Sequence, residues 1–317
     1  MRIIPSWVFL VFIFISCTKE VQIDIPGFEQ ELVVEGRIQT GGYPIVFLSV
    51  SQDVYSATDL SSYLQSFIYD ADVSITLDGT TISLDLMGVN QLPLESQKTL
   101  AEMLRIEFDQ ISFVPIQVYS TQNTSLIGQV GKSYTLDISY NGKDYTGSTE
   151  LMSPVTLDNI YWRPDEFNPE YGTSVAQLSD PANIYNAYRW EAKRINIQSN
   201  GQPMDTLFRS SNGSRGFFDD QFFDGLTFEF DAPNRQKRKD STHLKEYKRF
   251  YRFQDSVVIR FSRVERSVYD FFDKRDAQLG SNGNPFAAPI NVPSNIEGAL
   301  GIWAGISTGY DTLYCIP

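Results

Sequence analysis

The stretch DVSITLDGTTISLDL, residues 72–86, decides the fold class of this 317-residue chain. Apolar residues occupy every second position on both sides of the pair Asp78-Gly79. Two alternating runs joined by Asp-Gly are the strongest short-range signal for a β-hairpin. The alternating apolar residues are Val73, Ile75, Leu77, Ile82, Leu84 and Leu86.

The same pattern recurs along the chain and predicts a mainly β protein. A second hairpin is expected over 134–151, around Asn141-Gly142. At 188–193, Tyr188, Trp190 and Ala192 alternate with charged residues, which predicts a strand that is buried on one face only. A loop is predicted over 163–183. Further strands are predicted at 32–39, 45–51, 155–162, 226–230, 256–264 and 301–306.

Two segments favour helices instead. Between residues 94 and 108, Leu100, Leu104 and Phe108 recur at a spacing of four, which places them on one helical face. This helix is expected to pack on the first sheet or to fill the long connection before Ile116. A second, short helix is predicted from its N-cap Ser267 to Gly280.

The N-terminus has the features of a signal peptide that ends at a lipidation site. Residues 3–15 are almost entirely apolar, follow Arg2 and precede Ser16-Cys17. The run is shorter than the roughly 20 residues that a membrane-spanning helix needs. A cysteine directly after a small residue is the lipid acceptor of bacterial lipoproteins. We therefore predict a signal peptide at 1–16, a lipid anchor at Cys17 and a tether over 17–30.

The remaining chain is long and acidic. Cys17–Pro317 comprises 301 residues, and Ser153-Pro154 divides them into predicted β-rich domains at 31–153 and 154–317. Loss of Arg2 leaves 25 basic against 39 acidic residues, a net charge of −14. This charge disfavours nucleic-acid binding, which depends on Lys and Arg. With Cys17 acylated, only Cys315 remains, so no intrachain disulfide forms; Cys315 is expected to be a buried apolar residue.

The residues that carry most enzyme chemistry are scarce. The single histidine, His243, lies in a charged run, which disfavours a catalytic triad and a zinc site. FFDDQFFDG (217–225) offers Asp219, Asp220 and Asp224 as calcium ligands, but it lacks the spacing of an EF-hand and is interpreted as an acidic turn. No pair of glycosidase carboxylates stands out. We predict no catalytic, cofactor-binding or metal-binding residue.

One strongly basic segment stands out in this acidic chain. It is interpreted either as a docking patch for an acidic partner or anionic lipid, or as an exposed loop. In the loop interpretation Tyr247, Phe250, Tyr251 and Phe253 return to the core. The basic residues are Arg235, Lys237, Arg238, Lys239, Lys245, Lys248, Arg249 and Arg252.

Five stretches resemble a family of Bacteroidota outer-membrane lipoproteins known as domain of unknown function 4249. They are ISC ending at Cys17, LVVEGRIQTGGYPIVFLSVSQ (32–52), GKSYTLDISYNGKDYTG (131–147), NAYRWEA (186–192), and SVYDFFDKRDAQLG…NPFAAPINVPSNIEGALGIWAGIS (267–307). The last stretch is the most specific.

The resemblance implies both a fold and a setting. The first domain is expected to be an immunoglobulin-like or transthyretin-like sandwich with a helical insertion, and the second a β-rich domain with a short helix. Such proteins are typically encoded beside TonB-dependent outer-membrane transporters, and they are often displayed at the cell surface. The family has no defined catalytic residue.

Three functions follow as hypotheses. The leading one is a non-enzymatic, outer-membrane-anchored accessory lipoprotein that binds a TonB-dependent transporter or its cargo. The second is a surface hydrolase that acts on glycan or peptide through a carboxylate pair. The third is an adhesin or a structural lipoprotein of the envelope.

Overall fold

The computed structural model describes residues 29–52, 64–210, 216–232, 247, 249–281 and 290–316, and in this part the protein is mainly β. The first nine strands are β1 Leu32–Gln39, β2 Ile45–Val50, β3 Asp72–Leu77, β4 Thr80–Ser83, β5 Asp85–Gly88, β6 Gln117–Ser120, β7 Ser133–Tyr140, β8 Lys143–Glu150 and β9 Asn159–Pro164. The other nine are β10 Tyr171–Ser179, β11 Ala187–Arg194, β12 Arg209–Ser210, β13 Phe217–Asp219, β14 Thr227–Ala232, β15 Tyr251–Arg252, β16 Ser256–Val264, β17 Ile296–Glu297 and β18 Leu300–Tyr314. The helices are α1 Leu94–Leu104 and α2 Arg266–Ser281, with 3₁₀ turns at Val89–Gln91, Phe108–Phe113 and Thr124–Leu126.

Both predicted hairpins are confirmed. β3 pairs with β4 across Asp78-Gly79, and β7 pairs with β8 across Asn141-Gly142. All four turn residues have positive φ, as a two-residue type I′ turn requires. The alternation that continues past β4 does not stay in one sheet, however. After Leu84 the chain enters β5, which pairs with β6 in a different sheet.

A nine-stranded sheet forms the centre of the molecule. Its order is β12-β11-β16-β18-β1-β2-β6-β5, and β13 also pairs with β11. β1 and β18 run parallel, while the other pairs are antiparallel. This sheet takes strands from both sides of the predicted boundary at 153/154, and β17 pairs with β8 across it as well. The division into two domains stays a prediction.

Two smaller sheets cover one face of the central sheet. The five-stranded sheet β17-β8-β7-β3-β4 shares a core with β1, β2 and Trp303 of β18. The indole Nε1 of Trp303 donates to the backbone oxygen of Tyr134 at 2.9 Å, and a Cβ on Gly36 would lie 2.6 Å from the indole ring. The four-stranded sheet, in which β10 lies between β9 and β14, packs on β11 and β16 through a second, largely aromatic core.

Helices cover the opposite face. The predicted helix at 94–108 is α1, which packs Leu100, Ala101 and Met103 against Ile45 and Phe47 of β2. α2 begins at Arg266, one residue before the predicted cap, and its Phe271 and Phe272 belong to the core formed with β18. Because strands β1, β11, β16 and β18 are covered on both sides, their charged face is enclosed as well as their apolar face.

Two predictions about the second half were wrong. Residues 163–183 contain the nine-residue strand β10, in which a Cβ on Gly172 would lie only 2.4 Å from the backbone oxygen of Arg163 on β9. The strand at 188–193 is not exposed on one face, because Arg189 and Glu191 are buried like their apolar neighbours. The last strand, predicted over 301–306, extends to Tyr314.

Candidate functional site

Most of the predicted site residues lie outside the described residues. These are Cys17 and the basic side chains Arg235, Lys237, Arg238, Lys239, Lys245 and Lys248. Arg249 and Arg252 are described, and Arg249 is exposed. The Nε of Arg252 donates to Glu170 Oε1 at 2.7 Å, and its backbone N–H donates to Asp255 Oδ2 at 2.8 Å. These two hydrogen bonds therefore hold Arg252 against Glu170 and Asp255.

The C-terminal end of the basic segment is anchored by aromatic side chains. The ring of Tyr247 stacks on that of Tyr171 with centroids 4.6 Å apart, and its hydroxyl donates to Asp165 at 3.3 Å. Phe250 packs edge-on against Tyr247, and Tyr251 is fully buried. Burial raises the pKa of Tyr251, so its hydroxyl stays protonated.

Exposed apolar side chains lie on the strand ends and loops where this segment rejoins the fold. Backbone hydrogen bonds hold the strands and loops that carry them together: Phe253 N–H donates to Glu170 O at 2.7 Å, and Gln254 N–H to Cys315 O at 2.8 Å. We call this surface the apolar rim. Its members are Phe167, Ile195, Ile197, Phe253, Tyr314 and Ile316.

The apolar rim lies far from the start of the described chain. Glu31 bonds to Ser51 at the beginning of β1, and Val33 pairs with Leu300 at the beginning of β18. Tyr314 and Ile316 lie at and just beyond the other end of that 15-residue strand. At roughly 3.3 Å per residue, the two ends of β18 are about 45 Å apart along the strand.

A second feature is a group of three carboxylates. Ligand atoms of Asp180, Asp220 and Asp224 lie within 4.8 Å of one another, so two of the three residues weighed as calcium ligands come together and Asp180 takes the place of Asp219. Burial, and then the charge of Asp180, raise the pKa of Asp220, although hydrogen bonds from Asn186 lower it.

Hydrogen bonds within the protein already use these carboxylates. Asp180 accepts from the hydroxyl of Tyr188 at 2.5 Å and from Gly225 N–H at 3.1 Å, and Asp220 accepts from Asn186 N–H at 2.6 Å. Asp224 accepts from Asn183 N–H at 2.9 Å. The group thereby joins the turn 220–225 to the segment 180–186, in agreement with the acidic-turn interpretation.

A third feature, which the sequence did not reveal, is a network of buried charges on the helix side of the central sheet. Glu191 Oε1 lies 2.8 Å from Arg189 Nη2, and its Oε2 lies 2.7 Å from Arg260 Nη2. The same Nη2 of Arg260 lies 2.7 Å from Glu102 Oε2, and Glu102 Oε1 accepts from Phe208 N–H at 3.0 Å. Arg37 on β1 completes this buried charge network.

The electrostatics of the network follow from its burial. Desolvation raises the pKa of Glu191, but the positive charges of Arg189, Arg260 and Arg37 outweigh it, and the net shift is downward. Desolvation lowers the pKa of Arg189 to about 10 despite the attraction of Glu191. The guanidinium of Arg260 also lies 4.3 Å from the ring centroid of Phe208. All five charges are therefore enclosed and depend on one another.

Residues 18–310 match the model of a domain of unknown function, DUF4249. The chain belongs to the DUF4249 family. No curated protein and no solved structure matches it. The family match agrees with the resemblance that was read from the sequence.

Cys315 is fully buried in the aromatic core, as predicted. Among the described residues, no helix has the length and apolar character to cross a membrane. A pocket of about 200 Å³ lies beside the C-terminal end of α1, and Glu35 is the one carboxylate among the residues that line it.

The sequence did not reveal the charge network because its members are distant in the chain. Glu102 and Arg260 are 158 residues apart. One signal was available, namely charges inside otherwise apolar strands, as in VVIRF (257–261) and YRWEA (188–192). In a sheet covered on both faces, such charges must pair with one another.

Proposed function

We propose that this protein is a lipoprotein, anchored in the outer membrane through Cys17 and exposed at the cell surface, that acts without catalysis as an accessory or cargo-binding partner of a TonB-dependent transporter. Membership of the DUF4249 family supports the proposal, together with the leader that ends at Cys17. The observation that carries it is the apolar rim beside the basic segment.

The apolar rim has the composition of a docking surface. It combines aliphatic and aromatic side chains, and Phe167 is 91% exposed. Clustered exposed apolar residues with charged neighbours are typical of protein interaction sites. Because the rim is about 45 Å along β18 from the start of β1, it can face outward while the other end of the protein is tethered.

The charge distribution suggests the chemistry of the partner. The chain is acidic overall, yet the segment that leads into the rim carries eight basic residues between 235 and 252. An acidic surface on the transporter would be attracted to this segment and repelled by the remainder of the protein. We propose that the basic segment orients the complex and that the rim supplies its buried contacts.

Co-purification from detergent-solubilised outer membranes tests the docking surface. We expect a TonB-dependent transporter to be recovered in stoichiometric amount with the wild-type protein, and about tenfold less with Phe167→Ser/Ile197→Ser, as the loss of central apolar contacts implies. Phe222→Ser is the matched control, since Phe222 is 87% exposed but lies in the turn 220–225, at the other end of β10. Recovery of the protein alone, or an equal loss with the control, would count against the proposal.

Anchoring is tested separately at Cys17. Cys17→Ser removes the thiol that takes the lipid, so we expect the protein to leave the membrane fraction and to lose incorporation of labelled palmitate. Cys315→Ser is the control because Cys315 is buried in the core. Membrane association that survives in Cys17→Ser would show that another part of the chain holds the protein in place.

We also propose that the five-stranded sheet and the strands β1 and β2 form an immunoglobulin-like or transthyretin-like sandwich, with α1 as its helical insertion. The shared core of Val34, Val46, Ile75, Leu136 and Trp303 supports this arrangement. An experimental structure that shows a different strand order in the five-stranded sheet would contradict it.

A further inference from the structure

Three buried polar atoms on the helix side of the central sheet have no hydrogen-bond partner in the described part of the chain. They are Nη1 of Arg37, Oγ of Ser262 and Oγ1 of Thr308. Each residue is at most 7% exposed. An unpaired buried polar group costs free energy, and a native protein normally satisfies it with a partner, a water molecule or an ion.

The sheet register places the two hydroxyls side by side. Ser262 on β16 is directly opposite Thr308 on β18, and Arg189 on β11 is opposite Ser262 in the same row. The next row contains Arg260 and Glu191. All of these side chains share the face of the sheet that the helices cover.

Arg37 approaches the same point from the other side of β18. In the sheet register, Arg37 is the partner of Ala304 on the neighbouring strand β18. Its guanidinium is close enough to Glu191, Glu102 and Arg260 for their charges to act on it. To reach that region from β1, the side chain must extend across β18 toward the row of Ser262 and Thr308, which lies four residues beyond Ala304 along β18.

The buried charge network contains more guanidinium groups than carboxylates. The enclosed network holds the three guanidinium groups of Arg37, Arg189 and Arg260 but only two carboxylates, Glu102 and Glu191. Beside the network, Arg275 pairs with Glu35 at 3.5 Å, and the charge of Asp276 acts on Arg275, Arg105 and Arg189. Within the network itself, guanidinium groups therefore outnumber carboxylates by one, in a region with little access to water.

We propose that Arg37, Ser262 and Thr308 bind one small inorganic anion, of the size and charge of chloride, within the buried charge network. The guanidinium Nη1 and the two hydroxyls would all donate to it, so that each unpaired atom acquires a partner. The anion would also offset the excess of guanidinium groups over carboxylates within the network, which a water molecule cannot do. The role of the site is to hold β1, β16 and β18 together beneath the two helices.

Crystals of the full chain soaked in sodium bromide test the site directly, because bromide replaces chloride and scatters anomalously. We expect an anomalous peak within hydrogen-bonding distance of Arg37 Nη1 and the hydroxyls of Ser262 and Thr308. A water molecule there, or no peak at that position, would overturn the proposal.

Thermal unfolding tests the same site in solution. At equal ionic strength, we expect the melting temperature of the full chain to be higher by about 2 °C or more in sodium chloride than in sodium gluconate, since gluconate is too large to enter. Ser262→Ala/Thr308→Val removes two donors without changing a charge and should abolish this difference.

Ser307→Ala is the matched control. Ser307 is adjacent to Thr308, is fully buried and also has an unpaired Oγ, but its side chain points to the opposite face of β18. The chloride effect should persist in this variant. A chloride effect that is unchanged in Ser262→Ala/Thr308→Val, or that is absent from the wild type, would contradict the proposal.

Discussion

The two faces of strands β11 and β16 are both buried but are stabilised in different ways. On the face toward the four-stranded sheet, Trp190 packs edge-on against Phe230 and Phe261, with centroids 5.5 and 6.1 Å apart. On the face toward the helices, the next residues along the strands, Glu191 and Arg260, form ion pairs at 2.7–2.8 Å. One residue along a strand separates an aromatic core from a charge network.

The two faces should differ in how well they tolerate amino-acid substitutions. Apolar contacts are numerous and individually weak, so a small substitution removes only a few of them. A buried ion depends on a small number of partners, and each partner that is lost leaves an opposite charge enclosed without compensation. The charged face should therefore be much more sensitive than the aromatic face.

The largest effect is expected for Arg260→Ala. It removes the group that bonds both Glu102 and Glu191 and leaves two carboxylates enclosed. We expect a loss of about 3–5 kcal/mol in the free energy of unfolding, measured by urea denaturation. A loss no greater than that of a conservative substitution on the aromatic face would remove the distinction between the two faces.

The pH dependence should show a smaller part of the same effect. Because the folded-state pKa of Glu191 is below its unfolded value, its contribution is complete above the unfolded pKa of about 4.3 and is lost as the pH falls through the folded pKa. Melting temperatures between pH 7 and pH 3 should therefore fall more steeply for the wild type than for Glu191→Gln.

The control for this comparison is Glu95→Gln, which changes an exposed carboxylate on α1. The melting temperature of Glu95→Gln should change with pH in the same way as that of the wild type. If the Glu191→Gln profile also runs parallel to the wild type, Glu191 does not contribute to the acid sensitivity of the fold.

On the aromatic face, Ile259→Val is expected to cost about 1 kcal/mol in the free energy of unfolding. Ile259 is fully buried next to Arg260, and the change removes one methylene group while the neighbouring rings remain. Urea denaturation under the same conditions gives the comparison. A loss that approaches that of Arg260→Ala would show that both faces are equally intolerant.

The smallest effect is expected for Arg163→Ala. Like Arg260, Arg163 interacts with two carboxylates, Asp231 at 3.1 Å and Glu229 at 3.6 Å, but its side chain is 46% exposed. Solvent screens this pair, so the free energy of unfolding should stay within the error of the measurement. A clear loss would show that pairing itself, and not burial, distinguishes the charged face.

The sequence predicted the local elements well. The hairpins at Asp78-Gly79 and Asn141-Gly142, the helix at Leu94 and the strand Ser256–Val264 are where the pattern placed them. These predictions succeed because turn chemistry and apolar periodicity act over a few residues. Strand β10 was missed because its glycine, serine and threonine residues are typical of a loop as well as of a crowded central strand.

The candidate sites were harder to predict, because they depend on residues that are distant in the chain. The basic segment was visible as a run of charges, but the apolar rim needs Ile195, Phe253 and Ile316 to meet at one end of the molecule. The charge network needs α1 to place Glu102 over Arg260. No local sequence pattern encodes either of these long-range arrangements.

The sequence by itself determined that the protein is mainly β, that it resembles the DUF4249 family, and that its N-terminus has the pattern of a lipoprotein leader. Only the tertiary structure shows that the second face of strands β11 and β16 is buried and holds a charge network. Alternation shows that Arg189 and Glu191 point away from Trp190, and water is the usual destination of such charges. Here two helices cover that face, so the charges pair with one another because no solvent is there to stabilise them.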